Sequence, residues 1–263
     1  MSPLQPHKSK YWLFPNIKDW ESFVVRVNLV CNLILESIQE IHPQRHVLSV
    51  DEKTSIQALE RVEDRAPNSK GGGKRKEFEY IRNGIIGLMA AINVGKGNIV
   101  QQMLHPTHNE QDFATFIEMT VKVFPTEDEV VIIADQLNTH LSETLVRYVA
   151  KQINFNEELG IKGKKGILKN LESRKAFLEN PDHRIRFAYT PKHCSWLNPI
   201  ENWFAKLQRH IITNGSFSSV KELNDRIENY INYYNLCMVK PLKWKFKGFV
   251  KGEHLKNIKI SRT

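Results

Sequence analysis

The sequence predicts a mixed α/β domain, one sheet with helices on its faces. Three observations carry this. Short apolar runs at 47–51, 130–135 and 185–190 read as strands, the first two ending in an aspartate. Runs at 80–93 and 98–104 meet at Gly95-Lys96-Gly97 in hairpin order. The stretches between carry apolar residues at helical spacing, so strands and helices alternate after the hairpin. With 263 residues, 41% of them hydrophobic, the chain has material for a real core and the length of one large or two small domains.

In chain order, residues 1–18 form a polar arm with Pro3, Pro6 and Pro15. Asp19 can cap a helix, and Trp20, Phe23, Val24, Val27, Cys31, Ile34 and Ile38 recur at helical spacing. This predicts an amphipathic helix over 19–40, ended by His42-Pro43. Residues 63–77 read as a mobile, mostly basic loop. Asn109 caps a helix with the stripe Phe113, Phe116, Ile117, Val121 and Phe124, stopped by Pro125. The run at 130–135, apolar up to Asp135, predicts a strand buried on both faces. Leu141, Leu145, Val146 and Val149 make another helix. Residues 154–184 are polar and uneven, with a short helix at 171–178. Asn198-Pro199 opens a helix with Ile200, Phe204, Leu207 and Ile211 on one face. Ser219 and Glu222 form a capping box for a last helix to 234.

Composition excludes several classes. Three scattered cysteines, Cys31, Cys194 and Cys237, rule out a disulfide framework and CxxC zinc sites, and fit a reducing compartment. The N-terminus has no apolar core of a signal peptide, and the longest low-charge apolar stretch, 84–95, is too short to span a bilayer. No membrane is expected. The formal net charge of +9 favours an anionic partner, nucleic acid first.

Chemistry concentrates in three carboxylates at element ends. Asp51 and Asp135 terminate apolar strands, and Glu201 sits in the first turn of a helix. Strand C-termini form the rim where α/β sites are built. Three carboxylates gathered there repel one another without a cation, and hard oxygen donors suit Mg²⁺ or Mn²⁺. Two such ions about 3.5–4 Å apart suit in-line displacement at a phosphodiester. Structural readings stand beside these: Asp51 and Asp135 as turn formers, and Glu201 as the third residue of a capping box begun by Asn198. His140, five residues after Asp135, is placed for a supporting or substrate contact. His105 and His108 lack a matching pair of ligands, and His193-Cys194 lacks an orienting partner; both read as loop structure.

Two basic segments suit phosphate contact. Lys162, Lys164 and Lys165 alternate with glycines, and Lys243, Trp244, Lys245 and Lys247 interleave cations with aromatics. The plain alternative is a solvated charge run, with Trp244 and Phe246 packed on the domain. The tail from 240 carries eight basic residues and one acidic.

Several strings together resemble the DDE transposases of bacterial insertion sequences, mariner superfamily, insertion sequence 630 group. They are Val50-Asp-Glu-Lys-Thr-Ser-Ile-Gln57, Tyr80-Ile-Arg-Asn-Gly84, Asp135-Gln-Leu-Asn-Thr-His140 and Tyr189-Thr-Pro-Lys-His-Cys-Ser-Trp-Leu-Asn-Pro-Ile-Glu-Asn-Trp-Phe204. Tyr233-Tyr-Asn235 and Lys240-Pro-Leu-Lys-Trp244 are also similar. The resemblance runs over about 6–249 and implies a ribonuclease-H-like fold, a mixed five-stranded sheet flanked by helices. It implies that Asp51, Asp135 and Glu201 bind two Mg²⁺ or Mn²⁺ ions, with Glu52, Asn138, His140 and Asn198 in support. It implies cleavage of DNA at transposon ends, attack of the freed 3′-hydroxyl on target DNA at TA, and a homodimer on DNA in the bacterial cytoplasm at the nucleoid.

Three departures stand out. Gln136 replaces the Asn that many mariner relatives carry after the second Asp. Asp135 and Glu201 are 66 positions apart, longer than in typical mariner enzymes, which makes 154–184 a basic insertion. The 18 residues before Asp19 are too few for the helix-turn-helix region of full-length relatives, so the expectation is either a separate reading-frame product that supplies it or a truncated copy. The expected organisation is an arm and helix over 1–45, a catalytic domain over 46–236 and a basic tail over 237–263. The rival function is a catalytically silent remnant or regulator that binds DNA or a transposase.

Overall fold

The computed structural model describes residues 17, 19–61, 64–65, 75–76 and 79–249. The arm at 1–16, most of the 63–77 loop and the tail beyond 249 lie outside the described residues.

Five strands form one sheet: β1 (Arg45–Arg61), β2 (Tyr80–Asn93), β3 (Ile99–His105), β4 (Glu129–Ala134) and β5 (Ile185–Tyr189), in the order β3-β2-β1-β4-β5. β1, β2 and β3 pair antiparallel, and β4 and β5 add parallel to the other edge of β1. This is the ribonuclease-H-like arrangement expected from the sequence. Among the described residues, no helix is long and apolar enough to cross a membrane.

Alternation along the strands divides the core between two faces. Leu48, Val50, Val130, Ile132, Ala134, Ile185 and Phe187 point to one face. There α2 (Glu110–Val121), α3 (Glu143–Gln152) and α4 (Leu171–Leu178) cover them. The other face is shared. Over β2 and the far part of β1 lie α5 (Ile200–Leu207) and α6 (Val220–Tyr233), burying Trp203, Phe204, Leu223 and Ile227 against Ile56, Leu88 and Ile92. Over β4 and β5 lies α1 (Trp20–Ile38), whose Val27, Val30, Cys31 and Ile34 meet Val47, Val131, Ile133 and Ala188.

Three elements depart from the sequence expectation. β1 runs ten residues past Asp51, through a bulge at Ser55 (φ 57°), because Ile56 and Ala58 are buried beneath the α6 layer. The intervening polar residues hide that alternation. The 154–184 segment, expected as a polar, basic insertion, also builds the core: Leu168, Phe177 and Leu178 lie fully or almost fully inside the largest core cluster. The segment 241–249 folds back, so that Leu242, Trp244, Phe246 and Phe249 pack on the α1 cluster. Its start presses on the β2–β3 turn, where Gly97 sits at φ +81°; a Cβ there would lie 2.2 Å from the Lys240 carbonyl oxygen.

One ion-pair group clamps the sheet edge far from Asp51. Glu129 accepts from Arg45 Nε and, at 2.7 Å, from Arg186 Nε. Burial alone would raise the Glu129 carboxyl, but the two guanidiniums outweigh it and hold it below the usual value of 4.5. Its contribution is therefore complete above about pH 4.5 and is lost as pH falls through the lowered value. Glu129→Gln should cost about 1–3 kcal/mol at pH 7, discounting the larger cost of a fully buried pair for partial exposure. In urea unfolding that difference should shrink as pH falls below 4.5 and through the lowered Glu129 value, because wild-type Glu129 is then protonated as well.

Candidate active site

The sheet register brings the first two carboxylates together. Ser49 of β1 pairs with Ile133 of β4, so Asp51 and Asp135 each lie two residues past that pair. Because side chains alternate, both fall on the face covered by α1 and α5. Glu201 stands in the first turn of α5, over the same end of the sheet.

α5 is held there by a buried polar bridge, not by the capping box expected from Asn198 and Glu201. Pro199 precedes the helix, and no side chain of α5 caps it. The Ser49 hydroxyl donates to Asn198 Oδ1 and accepts from the Ile200 backbone N–H at 2.8 Å. Asn198 Nδ2 donates to the Val50 carbonyl at 3.0 Å and to Asp51 Oδ2 at 2.9 Å. Both Ser49 and Asn198 are fully buried. One asparagine thus ties the helix bearing Glu201 to the strand bearing Asp51 and orients the Asp51 carboxylate. Sequence reasoning missed Ser49; its signal was a lone hydroxyl in an apolar strand, two residues before Asp51.

Electrostatics bind the three acids into one unit. Burial raises the Asp51 carboxyl to about 6; Asp135 and Glu201 add to the rise, while the Glu52 N–H opposes it. Glu201 is also raised, by burial and by Asp135, against the pull of Lys53. Asp135 goes the other way. Burial would raise it, but His140 Nδ1 at 2.7 Å from Asp135 Oδ1 outweighs that. The fully buried His140 ring sits 4.0 Å from the Phe113 ring. Its Nε2 lies 3.5 Å from Glu52 Oε1, an ion-pair contact without hydrogen-bond geometry. Burial opposes its charge, yet Asp135 and Glu52 raise its pKa and keep it an imidazolium. Glu52 faces the opposite side of the sheet from Asp51 and Asp135, so His140 links Asp135 on one face to Glu52 on the other.

The other expected residues are placed as follows. Asn138 is exposed on the turn Asn138–Leu141 and makes no side-chain hydrogen bond among the described residues. Gln136 bridges elements instead of facing the carboxylates: its Nε2 donates to the Thr190 carbonyl at 2.7 Å and its Oε1 accepts from Lys175 Nζ at 2.8 Å. The glycine-rich loop closes as a tight turn, with Ile161 and Lys165 bridged; Lys162 meets Glu110 at 3.6 Å, Lys165 meets Glu158 at 3.0 Å, and Lys164 is exposed. Lys243, Lys245 and Lys247 are exposed, but Trp244 is turned inward onto α1, which corrects the stacking role expected of it. His108 packs over Gly87 and His105 pairs with Asp112, so neither is drawn to the site.

The donor set suits a divalent cation: three carboxylates, all oxygen, two of them raised by crowding and burial. Among the described residues, no three His, Cys, Asp or Glu side chains stand close enough to enclose an ion in this arrangement.

Residues 46–224 match the DDE superfamily endonuclease family. The chain belongs to that family. No curated relative matches it. Among solved structures it is similar to a pre-cleavage Mos1 transpososome, with TM-score 0.52 and 10% identity over 86% of this chain and 59% of that one. It is similar also to the Mos1 strand transfer complex, with TM-score 0.50 and 12% identity over 88% of this chain and 58% of that one. The chain thus spans less than two thirds of either. At these identities the likeness is one of fold.

Two measurements test the site. Ser49→Ala removes a buried donor and acceptor together and should cost about 1–3 kcal/mol in chemical denaturation; an unchanged midpoint would mean that the bridge holds nothing. Carboxyl NMR titration of the metal-free protein should place Asp51 near 6 and Asp135 below the ordinary aspartate value. Glu201→Gln should move the Asp51 midpoint down, because it removes a like charge.

Proposed function

We propose that this DDE endonuclease is the catalytic domain of a transposase, cleaving DNA at transposon ends and joining the freed 3′-hydroxyl to target DNA. The observation that carries the reading is the convergence of Asp51, Asp135 and Glu201 at one sheet end in a chain of this family. These three would hold Mg²⁺ or Mn²⁺, two ions in the reading favoured here. The chemistry such ions supply is Lewis-acid polarisation of the phosphodiester and neutralisation of charge on the attacking and leaving oxygens.

The chain's own residues prepare that site. Asn198 fixes one Asp51 oxygen, and the Glu52 N–H fixes the other at 2.8 Å. His140 orients Asp135 and balances Glu52, so the acids beside the reacting phosphate are not left wholly unpaired. Lys53, on the Asp51 face and near Glu201, offers a cation to a phosphate oxygen at the rim. No side chain here is needed as a covalent nucleophile; Cys194 is buried, with its thiol raised by that burial.

DNA is the proposed partner, as transposon end and as target at TA. A homodimer assembled on DNA and a separate helix-turn-helix product belong to the same proposal. A rival reading, a catalytically silent partner of DNA or of a transposase, draws on the spacing of the carboxylates, which do not close around an ion in this arrangement.

Nicking of supercoiled plasmid with Mn²⁺ separates the two. Wild type should nick. Folded Asp135→Asn and Glu201→Gln should each lose at least roughly a hundredfold, since a metal ligand supports several kcal/mol of charge stabilisation and 1.36 kcal/mol is tenfold in rate. Glu201→Gln should keep its fold, because Glu201 does not cap α5. Equal nicking by all three would remove the carboxylates from the mechanism, and no nicking by folded wild type would favour the silent partner.

A further inference from the structure

A cleft of about 490 Å³ lies against Gln136, the residue after Asp135. It opens between the start of α1, α4 and the loop after β5, and its polar lining includes Asp19, Arg26, Gln136, Lys175, Lys192 and His193. The cleft thus borders the end of the segment that carries the second carboxylate of the triad.

Its charge is mostly positive. Arg26 pairs with Glu179 and also donates to the Tyr189 carbonyl at 3.5 Å. Lys175 is half-buried and held in place: its ammonium donates to Gln136 Oε1 and lies 5.9 Å from the centre of the Tyr189 ring. Lys192 is exposed at the mouth. Among the described residues, no carboxylate forms an ion pair with Lys175 or Lys192. The acids here are Glu179, engaged by Arg26, and Asp19, in the lining itself, whose carboxylate caps α1 by accepting from the Ser22 N–H at 3.0 Å. Burial, then Arg26 and Lys192, push the Lys175 ammonium below its usual value against the pull of Glu179, as expected of cations gathered without enough anions.

We propose that Lys175 and Lys192, backed by Arg26, hold a backbone phosphate of the DNA strand that passes Asp135, making this cleft a phosphate subsite next to the carboxylates. The subsite rests on the reading of the chain as a DNA-cleaving domain. Gln136 acts in it as a positioning residue. By accepting from Lys175 and donating to the Thr190 carbonyl, it links the strand end that bears Asp135 to the helix that bears the cation. This gives the 154–184 segment a place beside the site through α4.

The test is equilibrium binding of a fluorescein-labelled DNA duplex of arbitrary sequence, followed by anisotropy between about 50 and 200 mM salt. Wild type is compared with Lys192→Gln, with the double variant Lys175→Gln/Lys192→Gln, and with Lys221→Gln on the remote face of α6 as control. Folding is checked by thermal melting. The proposal expects weaker binding by the double variant and a plot of log affinity against log salt shallower by about 1, the slope of one lost phosphate contact. Lys192→Gln should move the same way by less, and it carries the test if the double variant is unfolded; Lys221→Gln should match wild type. Steep wild-type salt dependence with unchanged affinity and slope in the Lys192 and double variants would overturn the subsite and leave the DNA reading standing. No DNA binding by wild type would overturn both.

Discussion

The arrangement of the site depends on a buried hydrogen-bonded bridge between a serine and an asparagine. Ser49 lies in the central strand and Asn198 just before α5, 149 residues apart in the chain. Neither could be buried at little cost without the other: an unpaired amide or hydroxyl in that interior costs about 1–3 kcal/mol. Paired, they satisfy the Ile200 N–H, the Val50 carbonyl and one Asp51 oxygen as well. The position of α5 over β1, and so of Glu201 over Asp51, follows from meeting these demands together.

Charge is managed on both faces of the sheet end. On the face that carries Asp51, Asp135 and Glu201, burial first and gathered negative charge second raise two of the three carboxyls. From the other face, His140 supplies one buried positive charge shared between Asp135 and Glu52. The neighbouring cleft concentrates positive charge at Arg26, Lys175 and Lys192. Gln136 sits on the boundary between these fields, a neutral residue able both to donate and to accept. That is a physical reason for a longer amide at this position: its reach joins β4 to α4 and to the residue after β5.

Sequence patterns located the strands well, and the exceptions share a cause. The far half of β1 was hidden because its burial comes from α6, whose residues follow some 160 positions later. The capping box at Asn198 fitted the local pattern but not the structure, because a distant Ser49 competes for the same asparagine. Trp244 read as a stacking residue by composition, yet the chain turns it onto α1, where aromatic area is better spent than in water. At Ser219 the local rule held for the N-cap itself, which accepts from the Glu222 N–H, while the Glu222 carboxylate reached one residue further, to Ser218.

Periodicity and end residues were enough to mark Asp51, Asp135 and Glu201, since apolar runs that end in acids, and a Glu in a first helical turn, are local features. The fold class followed for the same reason: alternation and helical spacing reflect which face each residue must bury. The gathering of the acids was decided only by tertiary structure. The Ser49–Ile133 register sets Asp51 and Asp135 side by side, and the Ser49–Asn198 bridge brings Glu201 over them. Neither is written in any short window, because each is a contact between segments whose separation in the chain carries no trace of their meeting.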